Sequence, residues 1–237
     1  ATVNGMDALI IQNQWRRGNR VIPEIERWVK EPEYAYFSGV HDAYELRDPS
    51  IPAHRRKIFY LRGEYWIVVD RFTASDEARE HDYVQHFHLP TPVTQSKPQQ
   101  TIAFSELADS APKAGVICAA APGLTVTVEP NPYPDEHSDN PDHLMHSLTT
   151  KGSGILVTVI APFSGETAPD LKLEILDVRC NGKKLTPWQA TALAITIDDK
   201  RDVYFDQHMH WNLRFDIDGE YSTQGRLFHS RIPSLNR

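Results

Sequence analysis

Short stretches of alternating apolar and polar residues, each closed by turn-forming residues, run the length of this chain. Residues 24–30 (EIERWVK) alternate apolar and charged side chains, and 83–89 (YVQHFHL) alternate again. A period of two places one set of side chains on one face of a strand. Further β-rich runs lie at 57–61, 65–72, 124–128, 155–160, 171–178, 192–197, 213–217 and 221–228. Arg62-Gly63, between the runs 57–61 and 65–72, predicts a two-residue turn, because Gly takes the positive φ that such a turn needs. Asn181-Gly182 and Asp218-Gly219 read the same way. No sustained helical stripe is present, although 104–111 has room for one turn or a short helix. The segment 130–146 (PNPYPDEHSDNPDHLMH) lacks alternation and predicts a long exposed loop. These patterns predict an all-β fold with few or no helices. The expected architecture is a large antiparallel multistranded β-sandwich, supersandwich-like, forming a single domain over residues 1–237.

Composition supports this without changing it. At 237 residues and 40% hydrophobic content, the chain can bury a core without staples. A net charge of -7 argues against the basic face of a nucleic-acid binder. No apolar stretch approaches the roughly 18 residues of a membrane helix. The opening ATVNGMDALI has neither the basic nor the apolar region of a signal peptide. It has no initiator Met and begins in what reads as a strand, so a start within a longer protein is one expectation and processing the other. Cys118 and Cys180 have no CxxC partner, which excludes a zinc knuckle. Their apolar surroundings predict two buried thiols, bonded only if their strands meet.

Eleven histidines are the first candidates for chemistry. His86 and His88, and likewise His208 and His210, stand two apart, so a strand would turn each pair to one face as potential metal ligands, with Asp70 or His54 as a third. The alternative is polar decoration of a solvent face. His137, His143 and His146 fall in the predicted loop and lack regular spacing, so solvated side chains are expected. His54-Arg55-Arg56 can hold an anion at a strand edge, or pair with a carboxylate on a neighbouring strand. Trp15-Arg16-Arg17 suits stacking on a sugar ring with anion binding, and equally a hairpin loop. The candidate substrate-binding residues are therefore Trp15, Arg16, Arg17, His54 and Arg55. No nucleophile elbow, phosphate-binding loop or dinucleotide fingerprint is present, and no catalytic residue is assigned.

The order of several motifs adds more. The chain opens ATVNGMDAL and continues through PEYAYFSGVHDAY, IPAHRRKIFYLRGEYWIVVDRF and HDYVQHFHLP, with LTVTVEPNPYP and GILVTVIAPF further on. This order resembles the C-terminal β portion of heparinase II/III-like polysaccharide lyases, closely over about the first 90 residues and more loosely near 158–163. The resemblance implies a β-sandwich joined to an upstream α/α toroid. It implies an acidic, uronate-containing polysaccharide as partner, cleaved by β-elimination, with periplasmic or secreted localisation. In that chemistry a positive or amide group neutralises the uronate carboxylate, a Tyr or His removes the C5 proton, and an acid protonates the leaving oxygen. It implies no cofactor in this chain and allows a divalent metal in the full enzyme. Ala1-Thr2-Val3 would match the end of a His-Asn-Thr-Val-like strand, with Ala where the family has Asn. The principal catalytic Tyr, His and Asn then have no counterpart, and the chain alone is expected to be inactive. His54, Asp70 and His88 match positions that look structural in the family. Two further readings stand beside this one. A non-catalytic carbohydrate-binding sandwich would stack sugars on Trp15, Trp28 or Trp66, although alternating strands favour the core for Trp28 and Trp66. A cupin-like enzyme would use the His pairs.

Overall fold

The computed structural model describes residues 1–8, 10–13, 16–18, 21–89, 93–95, 102–105, 113–130, 142–164, 167–209 and 211–232. All regular elements among them are strands. In chain order they begin with β1 (Thr2–Val3), β2 (Met6–Asp7), β3 (Ile11–Asn13), β4 (Arg16–Arg17), β5 (Glu24–Lys30), β6 (Tyr34–His41), β7 (Ala53–Leu61) and β8 (Tyr65–Thr73). There follow β9 (Glu80–Leu89), β10 (Val93–Gln95), β11 (Ile102–Ser105), β12 (Lys113–Cys118), β13 (Leu124–Pro130), β14 (Asp142–Lys151) and β15 (Gly154–Phe163). The remainder are β16 (Leu171–Ile175), β17 (Val178–Cys180), β18 (Lys183–Lys184), β19 (Ala190–Ile197), β20 (Lys200–Gln207), β21 (Phe215–Ile217), β22 (Tyr221–Thr223) and β23 (Leu227–His229).

The chain divides into two compact units, Ala1–Ala168 and Pro169–Arg237. In the first, a five-stranded antiparallel sheet runs β13-β14-β9-β1-β2, and an eight-stranded one runs β10-β11-β12-β15-β8-β7-β6-β5. They pack face to face. Val3, Tyr83 and Leu148 from one meet Phe72, Cys118 and Leu156 from the other in a single buried cluster. Each large apolar side chain buried there contributes roughly 1.5–3 kcal/mol. Gly154 is required at this seam, since a Cβ on it would lie 2.4 Å from the Tyr83 ring. In the second unit, sheets β16-β19-β20-β23 and β18-β17-β21-β22 enclose a core that includes Val178, Ala192, Val203, Phe205 and Phe215. Cys118 and Cys180 are buried free thiols, one in each core.

The fold class is the expected all-β sandwich, and its details differ from the sequence reading at definite points. The β7–β8 hairpin pairs Leu61 with Tyr65, so its loop has three residues, with Gly63 at φ 72°. Asn181-Gly182 does form the two-residue turn, both residues at positive φ, and Asn4-Gly5 forms another between β1 and β2. The run 171–178 is split, because β16 and β17 belong to different sheets. Asp142 to His146, expected in a loop, begin strand β14 and pair with β9. Of the short helix considered at 104–111, residues 104 and 105 are in β11 and the rest lie outside the described residues. Trp28, expected in the core, is 66% exposed on the edge strand β5.

Candidate functional site

The first unit carries a run of polar side chains where its two sheets meet. Register builds it. Arg56 on β7 stands directly opposite Asp70 on β8, and His54 stands opposite both Phe72 and, across the other edge of β7, His41. From the facing sheet, Gln85 on β9 stands opposite His146 on β14.

Asp70 is fully buried and accepts four hydrogen bonds. Arg56 grips it with two, Nε to Oδ1 and Nη2 to Oδ2, both 2.7 Å. His54 Nε2 donates to Oδ1 at 2.8 Å and Gln85 Nε2 to Oδ2 at 2.7 Å. Burial works against the charge on Asp70, but the Arg56 guanidinium and then His54 outweigh it and hold the carboxyl far below the usual carboxylate range.

The proton positions follow from these contacts. With His54 Nε2–H given to Asp70, His54 Nδ1 must accept, and His41 Nε2–H supplies it at 3.0 Å. His41 Nδ1 then accepts the backbone N–H of Ala43 at 3.2 Å. Burial followed by the nearby His54 lowers the His41 pKa to about 4. On the other branch, Thr158 donates its hydroxyl proton to Gln85 Oε1 at 2.6 Å and accepts from His146 Nδ1 at 3.0 Å. His146 is thereby left with a bare Nε2 that is buried and has no hydrogen-bond partner. Burial lowers its pKa to about 4. The chain His41–His54–Asp70 leaves neither of its imidazoles an open lone pair for proton abstraction. It works as a clamp that fixes the Arg56 guanidinium, whose side chain keeps 36% exposure.

Beyond Arg56, the same face of the eight-stranded sheet becomes apolar and aromatic. Tyr60 and Trp66 stack in parallel with ring centroids 4.5 Å apart, and exposed Trp28 meets Phe37 edge to face at 6.1 Å. The result is a fixed cation beside a half-buried aromatic surface.

The candidates from sequence fall in different places. His54 is inside the clamp, 5% exposed. Arg55 turns to the opposite face and holds Glu26 with two bonds of 2.7 Å, Nε to Oε2 and Nη2 to Oε1. Arg16 and Arg17 form β4, paired with β3, and Trp15 lies outside the described residues. His86 and His88 share one face of β9, but Gln85 between Val84 and His86 is the residue that reaches Asp70, so neither Asp70 nor His54 completes a site with the pair. Instead His86 Nδ1 lies 2.8 Å from His143 Nε2, its Nε2 lies 2.8 Å from Thr2 Oγ1, and His88 stacks on His143. Burial lowers the pKa of His86 to about 4 and also lowers that of His143. His208 is buried with Nε2 2.9 Å from Thr191 Oγ1, and His210 lies outside the described residues. Among the described residues no three His, Cys, Asp or Glu side chains converge in a way that could hold a metal ion. Sequence reasoning missed His41, Arg56, Gln85, His146 and Thr158 as one group.

Comparison with known families decides the relationship. The profile of the family described as heparinase II/III-like, C-terminal, matches residues 1–174. The chain belongs to this family. No curated protein matches it. Among solved structures it is similar to heparan sulfate lyase HepC from Pedobacter heparinus, with a TM-score of 0.60 and 14% identity, over 80% of this chain and 29% of that one. It is similar also to a structure of heparinase III, with a TM-score of 0.58 and 13% identity, over 78% of this chain and 27% of that one. At these identities the likeness is one of fold. The chain spans less than a third of the length of either relative.

Proposed function

We propose that this chain is the β-sandwich portion of a polysaccharide lyase that cleaves an acidic, uronate-containing glycan by β-elimination, acting together with a helical toroid supplied by a longer protein. The observation that carries this reading is the family match over residues 1–174. The clamp geometry supports a division of labour. With its hydrogen-bonding positions closed, the His41–His54–Asp70 chain provides no free base. On this reading the proton at C5 is taken by a group outside this chain, which alone does not cleave. Arg56, fixed by Asp70, and the aromatic face with Trp28 suit the binding of an anionic sugar, where an arginine meets a carboxylate and a ring stacks on an aromatic. The reading extends to heparin- or heparan-like and alginate-like glycans, to a divalent metal held by the complete enzyme, and to a periplasmic or secreted setting.

The test is the product of the complete gene product carrying this chain. Incubation with heparan sulfate and with alginate is expected to yield fragments bearing a C4–C5 double bond, which mass spectrometry reads as loss of one water relative to hydrolysis. Hydrolytic fragments, or none from any uronate polysaccharide while a neutral glycan is cut, would overturn it. Exposed Trp28 also favours a non-catalytic sugar-binding sandwich. That reading predicts glycan retention by the complete gene product with no new double bond.

A further inference from the structure

The second unit, beyond the family match from residue 175 on, carries a pocket that the lyase reading does not use. It has a volume of about 440 Å³ and is lined by Arg179, Asn181, Gly182, Arg214, Asp216 and Ser222. Sites for small ligands start at roughly 300 Å³. Strand register assembles it. Arg179 on β17 stands opposite Asp216 on β21, which stands opposite Ser222 on β22, so three polar side chains lie in one row across the sheet. Arg214, just before β21, lines the same pocket and reaches Ser222. The opposite face of these strands is the core, with Cys180, Phe215 and Ile217 buried. The turn residues Asn181 and Gly182, both at positive φ, form the rim.

The two arginines are held but not neutralised. Arg214 Nε donates to Ser222 Oγ at 2.6 Å, and Arg179 Nη1 donates to the Gly182 carbonyl at 3.2 Å. Among the described residues neither forms an ion pair, whereas Arg55, Arg56, Arg79 and Arg231 each sit on a carboxylate. Asp216 Oδ1 accepts the Gly219 N–H at 2.9 Å. In a chain of net charge -7 this is a local excess of fixed donors for an anion. The carboxylate among them makes a bare inorganic anion a poor fit. A hydroxylated anion fits: its acidic group takes the guanidinium N–H donors, and its hydroxyls donate to Asp216 and meet Ser222.

We propose that this pocket binds one acidic sugar unit of a glycan chain, at a site separate from the Arg56 face.

Backbone amide NMR on the whole chain tests this, with tetramannuronate, cellotetraose and inorganic sulfate as probes at matched concentration. Tetramannuronate is expected to shift the amides of Asn181, Gly182 and Gly219 saturably. Cellotetraose is expected to leave them in place, and sulfate to shift them far less. Replacing both Arg179→Ala and Arg214→Ala should weaken these shifts about tenfold or more, since charge-assisted bonds are lost. Arg179→Lys with Arg214→Lys keeps the charge and should fall between. Equal shifts with cellotetraose, equal shifts with sulfate, or tetramannuronate binding unchanged in both double variants would each overturn the proposal. Shifts confined to amides of the first unit would overturn it too, while leaving the lyase reading intact.

Discussion

Replacing Asp70 by Asn removes the charge at the centre of the clamp while keeping its volume. Four donors point at this carboxylate: two from Arg56, one from His54 and one from Gln85. An amide accepts through one oxygen only, so its NH2 group would face donors, and Arg56 would lose its counter-ion. Breaking one partner from a buried pair costs about 3–5 kcal/mol. Water reaches 36% of the Arg56 side chain and relieves part of this, which places the expected loss near the lower end, about 3 kcal/mol. For a unit of this size that is a fall in melting temperature of roughly 6–12 °C. Hydrogen exchange on the amides of β7, β8 and β9 gives the local readout. Arg55→Ala is the internal control. It breaks a partly exposed pair with Glu26 on the opposite face and should cost about 1 kcal/mol or less. A loss under about 1 kcal/mol in Asp70→Asn, or equal losses in the two variants, would refute the clamp.

Acid should act through the buried histidines. His146 has a folded pKa of about 4, below its unfolded value near 6.5, so the unfolded state takes up the proton first as pH falls. Its contribution is complete above about 6.5 and gone by about 4, roughly 3 kcal/mol over that window. Denaturant midpoints across this range should slope accordingly, and His146→Gln should flatten the slope. Gly154→Ala puts a methyl against the Tyr83 ring and should destabilise by about 1–3 kcal/mol in the same denaturation assay. Cys118, whose thiol burial pushes up to about 12, should resist iodoacetamide in the native protein and react on unfolding.

Much of the fold could be read from the chain because alternation and turn chemistry are local. Glu24–Lys30 was legible to the residue. What failed were features set by partners. The β7–β8 loop shows how one residue matters. A two-residue turn at Arg62-Gly63 would set Arg55 opposite Asp70, whereas the three-residue loop sets Arg56 there. Sequence reasoning named Arg55 with His54 as part of a cationic strand edge, and the true register sends Arg55 to the other face. His146 was hidden for a related reason. Its segment has the Pro, Asp and His content of a loop, and only pairing with β9 makes it a strand. The row Arg179, Asp216, Ser222 joins three strands, so nothing within one stretch of sequence announces it.

The most direct test of the central claim compares this chain alone with the complete gene product on the same uronate polysaccharide, following ultraviolet absorbance of the unsaturated product. The account predicts that the isolated chain retains the glycan and gives a flat trace, while the complete gene product gives a rising one. A rising trace from the isolated chain would contradict it.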